Sequence, residues 1–157
     1  MTSTPPVSPD HTRRAVSLSR IAEGVYLAAN ERGGTVRFGS KAGDAFTPVE
    51  LLLAAIAGCS AVDIDVVTGR RATAEEFAVD VHAHKARDDD GGSVLRDIEM
   101  TFSLRFPASE AGDAARALLP RAAKASHDRS CTVSRTVEAG VPVAVSVDDG
   151  SGPLQVS

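Results

Sequence analysis

The strongest constraint on the fold is one long apolar segment with a clear start signal. Thr47-Pro48-Val49-Glu50 places a hydroxyl at the N-cap, a proline at the first helical position and a glutamate three residues after the cap, which is the capping-box pattern. From Leu51 to Val67 the strongly polar residues are Ser60, Asp63 and Asp65. Because a helix that is apolar nearly all round has to be covered on every side, the segment predicts a central helix that ends at Gly69.

Extended segments precede this helix. Three short runs, Ala15 to Ile21, Val25 to Ala29 and Thr35 to Phe38, are separated by turn signals at Glu23-Gly24 and Gly33-Gly34. Short extended runs joined by such turns are typical of antiparallel pairing. The first part of the chain therefore predicts a small antiparallel sheet.

After the helix the hydrophobic pattern changes to alternation. Phe77 to His84 and Asp97 to Phe106 each alternate apolar and polar residues, which predicts two strands with one buried face each. The polar run Asp88 to Gly92 lies between them. The two strands are therefore expected to form a hairpin with a polar loop.

The remaining elements complete an α+β fold. A second helical stretch is predicted from about Ser109 to Arg129, with Pro120 as a kink. After residues 131–137 a last strand is predicted from Val141 to Val147. The predicted order is βββ-α-ββ-α-β.

The length of 157 residues fits one domain. Residues 1–12 and 148–157 carry no periodic apolar pattern, so we expect a disordered N-terminal tail and a flexible C-terminal tail. The ordered domain is expected to span residues 13–147.

Charge and hydropathy exclude several classes of function. A net charge of −4 gives no electrostatic attraction to nucleic-acid backbones. Residues 1–14 lack the apolar core of a secretory signal. The longest uncharged apolar stretch, Leu51 to Val62, has 12 residues, whereas a membrane-spanning helix needs about 20. We therefore expect a cytoplasmic protein that binds neither nucleic acid nor membrane.

Cys59 and Cys131 are the candidate reactive groups. A reducing cytosol keeps a structural bridge open, so any pairing would be chemical rather than architectural. Cys59 lies in the middle of the apolar helix, where burial disfavours a thiolate, and Asp63 one turn later acts in the same direction. An inert core cysteine therefore stays open as an alternative. His82 and His84 share a strand face without a third ligand at a forced spacing, so we expect no metal and no cofactor.

Two segments resemble the signatures of the OsmC/Ohr family of thiol-dependent peroxidases. They are residues 46–63, FTPVELLLAAIAGCSAVD, and residues 126–136, SHDRSCTVSRT. The sequence is more similar to the broader OsmC-like group than to the dedicated organic hydroperoxide reductases. The resemblance implies an OsmC-like fold in which antiparallel sheets wrap around two central helices. It also implies an intertwined homodimer with active sites at the subunit boundary.

The resemblance further implies a role for each cysteine. Cys59 matches the family's peroxidatic cysteine, which attacks an organic hydroperoxide and becomes a sulfenic acid. Cys131 matches the resolving cysteine, which forms a disulfide with it, and an external dithiol then reduces that bridge. Two other uses of an OsmC-like chain stay open: a non-catalytic module that binds a small ligand, and a redox sensor that uses the cysteine pair without turnover.

In similar family members an arginine from the first strands stabilises the thiolate. Arg20 is the best match for this arginine, and Arg32 and Arg37 are the alternatives. A nearby cation would lower the pKa of Cys59 and so offset its burial.

Two more positions are candidates by the same resemblance. Hydroperoxide reductases carry a glutamate directly after the helix-starting proline, where this chain has Val49. Glu50 comes one residue later and is better explained as the third residue of the capping box, with a catalytic role as the alternative. His127 could hydrogen-bond near Cys131 or could favour a helix end by its position.

Overall fold

The computed structural model describes residues 12–148, 150 and 153–155. It divides into two compact units, Met1–Leu51 and Leu52–Ser157. Three strands, a long helix, a two-stranded hairpin and further helices follow one another along the chain, which confirms the predicted α+β class. Of the predicted N-terminal tail, residues 1–11 lie outside the described residues.

The first unit contains the predicted antiparallel sheet. Its strands are β1 (Val16–Ala22), β2 (Val25–Asn30) and β3 (Thr35–Phe38), paired in the order β1-β2-β3. Tyr26 in the middle strand stacks on Phe38, with ring centroids 5.8 Å apart. The three predicted extended runs are therefore confirmed within one residue at each end.

The long helix α1 (Pro48–Thr68) begins and ends where the sequence predicts. Glu50 Oε2 accepts hydrogen bonds from the Thr47 amide at 2.7 Å and the Thr47 hydroxyl at 2.9 Å. The Glu50 amide donates in return to Thr47 Oγ1 at 3.3 Å. These reciprocal bonds are the capping box, and they occupy the Glu50 carboxylate.

The single chain covers one face of α1. Ile56, Ile64 and Thr68 are buried, whereas Val62 and Val66 are 65% and 55% exposed. By length and composition α1 could also cross a membrane, but the core helix of a globular protein has the same properties. Cover of the exposed face by a partner subunit stays a prediction, as does the absence of a membrane-spanning role.

The second sheet is a long hairpin of β4 (Glu76–Arg87) and β5 (Ser93–Arg105). Exposed and half-buried residues alternate along both strands, which confirms the predicted one-sided burial. The register shifts between His82 and His84, and Asp97 on the opposite strand has a φ of 53°. Such a bulge bends a strand and re-aims nearby side chains.

The last third of the chain departs from the prediction. The second helix is α2 (Glu110–Ala125), capped by Ser109, and it continues as a π-helical turn (Ser126–Ser130). A third helix, α3 (Thr132–Ala139), follows where the sequence analysis expected none. It ends at Gly140, whose φ of 60° suits the left-handed C-cap position.

The predicted last strand is wrong in its extent. Residues 141–145 have no regular secondary structure, and β6 covers only Ser146–Asp148. It pairs with β7 (Pro153–Gln155), a strand within the segment expected to be a flexible tail. Alternating valines are therefore insufficient here, because an isolated segment needs a pairing partner to become a strand.

Candidate active site

The two cysteines belong to different elements of the second unit. Cys59 lies in the middle of α1 and is half-buried, whereas Cys131 is fully buried at the N-cap of α3. Both are free thiols. The expectation of a buried Cys59 is therefore wrong in degree, because Cys131 is the more protected of the two.

The Cys131 sulfur caps the first turn of α3. The thiol donates to Ser134 Oγ at 3.1 Å, and the sulfur accepts from the Ser134 amide at 3.4 Å. Burial by itself raises the pKa of Cys131. The hydroxyls of Ser134 and Ser60, the Ser134 amide and the Cys59 thiol outweigh burial, so the pKa of Cys131 lies below its usual value.

The pKa of Cys59, by contrast, lies above its usual value. Burial raises the pKa of Cys59, and the neighbouring Cys131 adds to this increase. The backbone amides of Val133 and Thr132 act in the other direction without reversing it. Both amides belong to the first turn of α3, so the peroxidatic candidate lies beside the N-terminus of a helix that the sequence analysis missed.

A buried hydrogen bond ties together the elements that carry the two thiols. Ser126 Oγ donates to Asp63 Oδ2 at 2.8 Å, and Ser126 is 2% exposed. The Cys131 amide donates to the Ser126 carbonyl oxygen at 2.9 Å. Asp63, expected to act on Cys59, thus anchors the π-helical turn that leads to Cys131.

The three candidate arginines all lie in the first unit. Arg20 is exposed on β1, opposite Tyr26, and Arg32 is exposed after β2, where its amide donates to the Asn30 side chain at 2.9 Å. Arg37 on β3 donates to the Ala42 carbonyl oxygen at 2.9 Å. The choice among them stays a prediction.

His127 lies on the π-helical turn, and its Nδ1 is 3.6 Å from a Glu138 carboxylate oxygen on α3. Both residues line a cavity of about 570 Å³ in the second unit. Its apolar wall includes Ile56, Ile98, Met100, Phe102 and Val137. Ser134, which contacts the Cys131 sulfur, also lines this cavity, and the cavity is large enough for a small apolar molecule.

Among the residues that the structure describes, no group of three or more His, Cys, Asp or Glu side chains could hold a metal ion. The rings of His82 and His84 stand edge to face at 6.4 Å, and His82 lies 3.4 Å from Glu99 across the hairpin.

The arrangement can support thiol redox chemistry. A sulfenic acid at Cys59 would have a second thiol beside it, and that thiol is held by hydrogen bonds that favour its thiolate. Sequence reasoning missed Ser60, Ser126 and Ser134. The signal for Ser134 was its position three residues after Cys131, the N-cap of α3. The amide and side chain of the third helical residue face the N-cap residue.

The family model described as OsmC-like protein matches residues 41–146, more than half of the chain and a range that includes both cysteines. No curated protein matches the sequence.

Several solved structures share the fold. A hypothetical protein from Aquifex aeolicus is 21% identical, with 82% of this chain and 89% of that chain covered and a TM-score of 0.64. An OsmC-like protein of unknown function from Vibrio cholerae is 10% identical, with 80% and 94% covered and a TM-score of 0.66. An OsmC-like hydroperoxide resistance protein from Jannaschia sp. is 17% identical, with 90% and 95% covered and a TM-score of 0.50. At these identities the likeness shows the fold alone.

Proposed function

The chain belongs to the OsmC-like protein family, and from this premise we propose that it is a thiol-dependent peroxidase that reduces organic hydroperoxides. Family membership supports a peroxidase-like role at the level of the family. The proximity of the elements that carry Cys59 and Cys131 supports the proposal for this chain. Ser126 donates to Asp63 at 2.8 Å, one turn after Cys59 on α1, and its carbonyl oxygen accepts from the Cys131 amide at 2.9 Å. Each thiol also shifts the pKa of the other.

The first step oxidises Cys59. Its thiolate attacks the terminal oxygen of the hydroperoxide and breaks the O–O bond, which gives a sulfenic acid and releases the alkoxide, protonated to the alcohol. The amides of Val133 and Thr132 favour the thiolate but leave the pKa of Cys59 raised. We propose that a cation supplies further stabilisation of the thiolate, as in similar family members, with Arg20 as the first candidate.

The second step resolves the sulfenic acid. The Cys131 thiolate attacks the Cys59 sulfur, an S–S bond forms, and hydroxide leaves and takes up a proton as water. An external dithiol then reduces the disulfide by exchange and is itself oxidised. We also propose a homodimer in which a second subunit covers the exposed face of α1, since Val62 and Val66 remain open to water in the single chain.

Peroxide consumption with a dithiol donor tests this proposal. The wild type should consume an alkyl hydroperoxide over many turnovers, because the donor regenerates both thiols. Cys59→Ser should abolish consumption, and Cys131→Ser should allow about one equivalent before Cys59 becomes overoxidised. Equal turnover in Cys59→Ser and wild type would reject the proposal.

The cavity beside Ser134 favours a second candidate, a module that binds a small apolar ligand without turnover. The same cysteine variant separates the two functions. Ligand binding measured by calorimetry with the alcohol product would survive in Cys59→Ser, whereas peroxide consumption would not. Binding in the wild type without peroxide consumption would favour this second function.

A further inference from the structure

We infer that Ser134 is a positioning residue for the resolving step: it holds the Cys131 sulfur at the first turn of α3, ready to attack oxidised Cys59. This inference rests on the proposed function. It concerns the thiol that the first chemical step does not use.

Ser134 contacts the Cys131 sulfur through two of its atoms. Its hydroxyl oxygen lies 3.1 Å and its amide nitrogen 3.4 Å from Cys131 Sγ. Cys131 is 0% exposed and Ser134 is 8% exposed, so water has little access to replace these partners. The amide also lies at the positive end of α3, where negative charge is favoured.

The hydroxyl can serve both protonation states of Cys131. As a thiol, Cys131 donates its proton to Ser134 Oγ. As a thiolate, Cys131 accepts from the same hydroxyl after it rotates, and the amide donates to the sulfur in both states. The attack forms the S–S bond and expels hydroxide from the Cys59 sulfenic acid, so no further oxidant or reductant is needed.

Several other titratable groups lie on the surrounding elements. They are Cys59 and Asp63 on α1, Lys124 on α2, His127, Asp128 and Arg129 on the π-helical turn, and Arg135 and Glu138 on α3. Asp63 accepts from Ser126, Lys124 pairs with Asp128 at 2.5 Å, and Arg135 donates to backbone carbonyl oxygens. Of these groups, Cys59 is the one that acts on the Cys131 thiol among the described residues.

A titration without peroxide tests the inference independently of the proposed function. In a Cys59→Ser background, ultraviolet absorbance of the thiolate reports the titration of Cys131. Ser134→Ala should move its midpoint upward by about one pH unit, since a hydrogen bond to a charged group contributes roughly that much. Ser134→Thr keeps the hydroxyl and should restore the midpoint. Ser130→Ala, at an exposed neighbouring serine, should leave it unchanged.

An unchanged midpoint in Ser134→Ala would overturn the inference. If that variant fails to fold, Ser134→Val provides a second test, because valine has the shape of the threonine in Ser134→Thr but lacks the hydroxyl, so its midpoint should lie above that of Ser134→Thr. Unchanged midpoints in every folded variant would overturn the inference whether or not the protein consumes peroxide.

The second arm uses both thiols and an alkyl hydroperoxide. Ser134→Ala should form the Cys59 sulfenic acid at the wild-type rate but close the disulfide about threefold more slowly below the Cys131 midpoint, because a roughly tenfold smaller thiolate fraction is partly offset by a more nucleophilic thiolate. The delayed sulfenic acid should react with a second hydroperoxide and accumulate as sulfinic acid. Sulfinic acid no higher than in wild type would count against Ser134. Absence of peroxide reaction in the wild type would instead reject the proposed function, and the titration would still decide the role of Ser134.

Discussion

Loss of the Ser126 hydroxyl should weaken the fold and the resolving step together. This hydroxyl donates to the Asp63 carboxylate at 2.8 Å from a residue that is 2% exposed. A hydrogen bond to a charged group contributes about 1.5–3 kcal/mol. Because Asp63 is half-buried and water can partly replace the donor, we expect the lower end, about 1.5 kcal/mol, for Ser126→Ala.

A double-mutant cycle measures this bond directly. Urea unfolding of Ser126→Ala, Asp63→Ala and the double variant, at one protomer concentration and under reducing conditions, should give a coupling free energy of about 1–1.5 kcal/mol. Disulfide closure should also slow, because loss of the Ser126–Asp63 bond loosens the turn whose backbone carbonyl oxygen at Ser126 accepts from the Cys131 amide. Ser130→Ala is the matched exposed control. Additive effects of the two single substitutions, with no coupling, would refute this account of the contact.

Three more outcomes follow from the site and from α1. Arg20→Met should slow alkylation of Cys59 at neutral pH, whereas Arg32→Met and Arg37→Met should leave the alkylation rate unchanged. A slower alkylation in Arg32→Met or Arg37→Met would assign the role to that arginine instead. Hydrogen bonds from Thr47 lower the pKa of Glu50 in the folded state. The ionised Glu50 side chain therefore stabilises the fold at pH values above its pKa in the unfolded chain, and this stabilisation is lost as the pH falls through its pKa in the folded protein. Glu50→Gln should therefore unfold more readily than wild type at neutral pH, with the difference vanishing in acid. Sedimentation at micromolar concentration should give a dimer, and a compact stable monomer would contradict the predicted cover of α1.

The features predicted well from the sequence are those encoded by nearby residues. The capping box and the glycine after Thr68 set the limits of α1, and both are local signals. Alternation along β4 and β5 likewise reports one buried face within a single strand. In these elements, local preference and tertiary burial agree.

Helix α3 was missed because its local signals conflict. Four of its eight residues, Thr132, Val133, Thr136 and Val137, are β-branched, which lowers helix propensity. A cysteine is also an uncommon N-cap, yet the Cys131 side chain accepts from the Ser134 amide.

The environment of Cys59 could not be predicted without α3. The amides that act on its sulfur are more than 70 positions away in sequence, and only the fold brings them to α1. The same holds for Asp63, whose partner Ser126 belongs to the π-helical turn. Sequence spacing within α1 placed Asp63 near Cys59, but it carried no information about which group Asp63 contacts.

The most direct test of the central claim is the intact mass of the protein after one equivalent of an alkyl hydroperoxide, without a reductant. The mass should fall by two hydrogens per chain, and peptide mapping should join Cys59 to Cys131. A product heavier by one oxygen at Cys59, or by two oxygens in up to half of the chains, with Cys131 still a free thiol, would contradict the proposed resolving role.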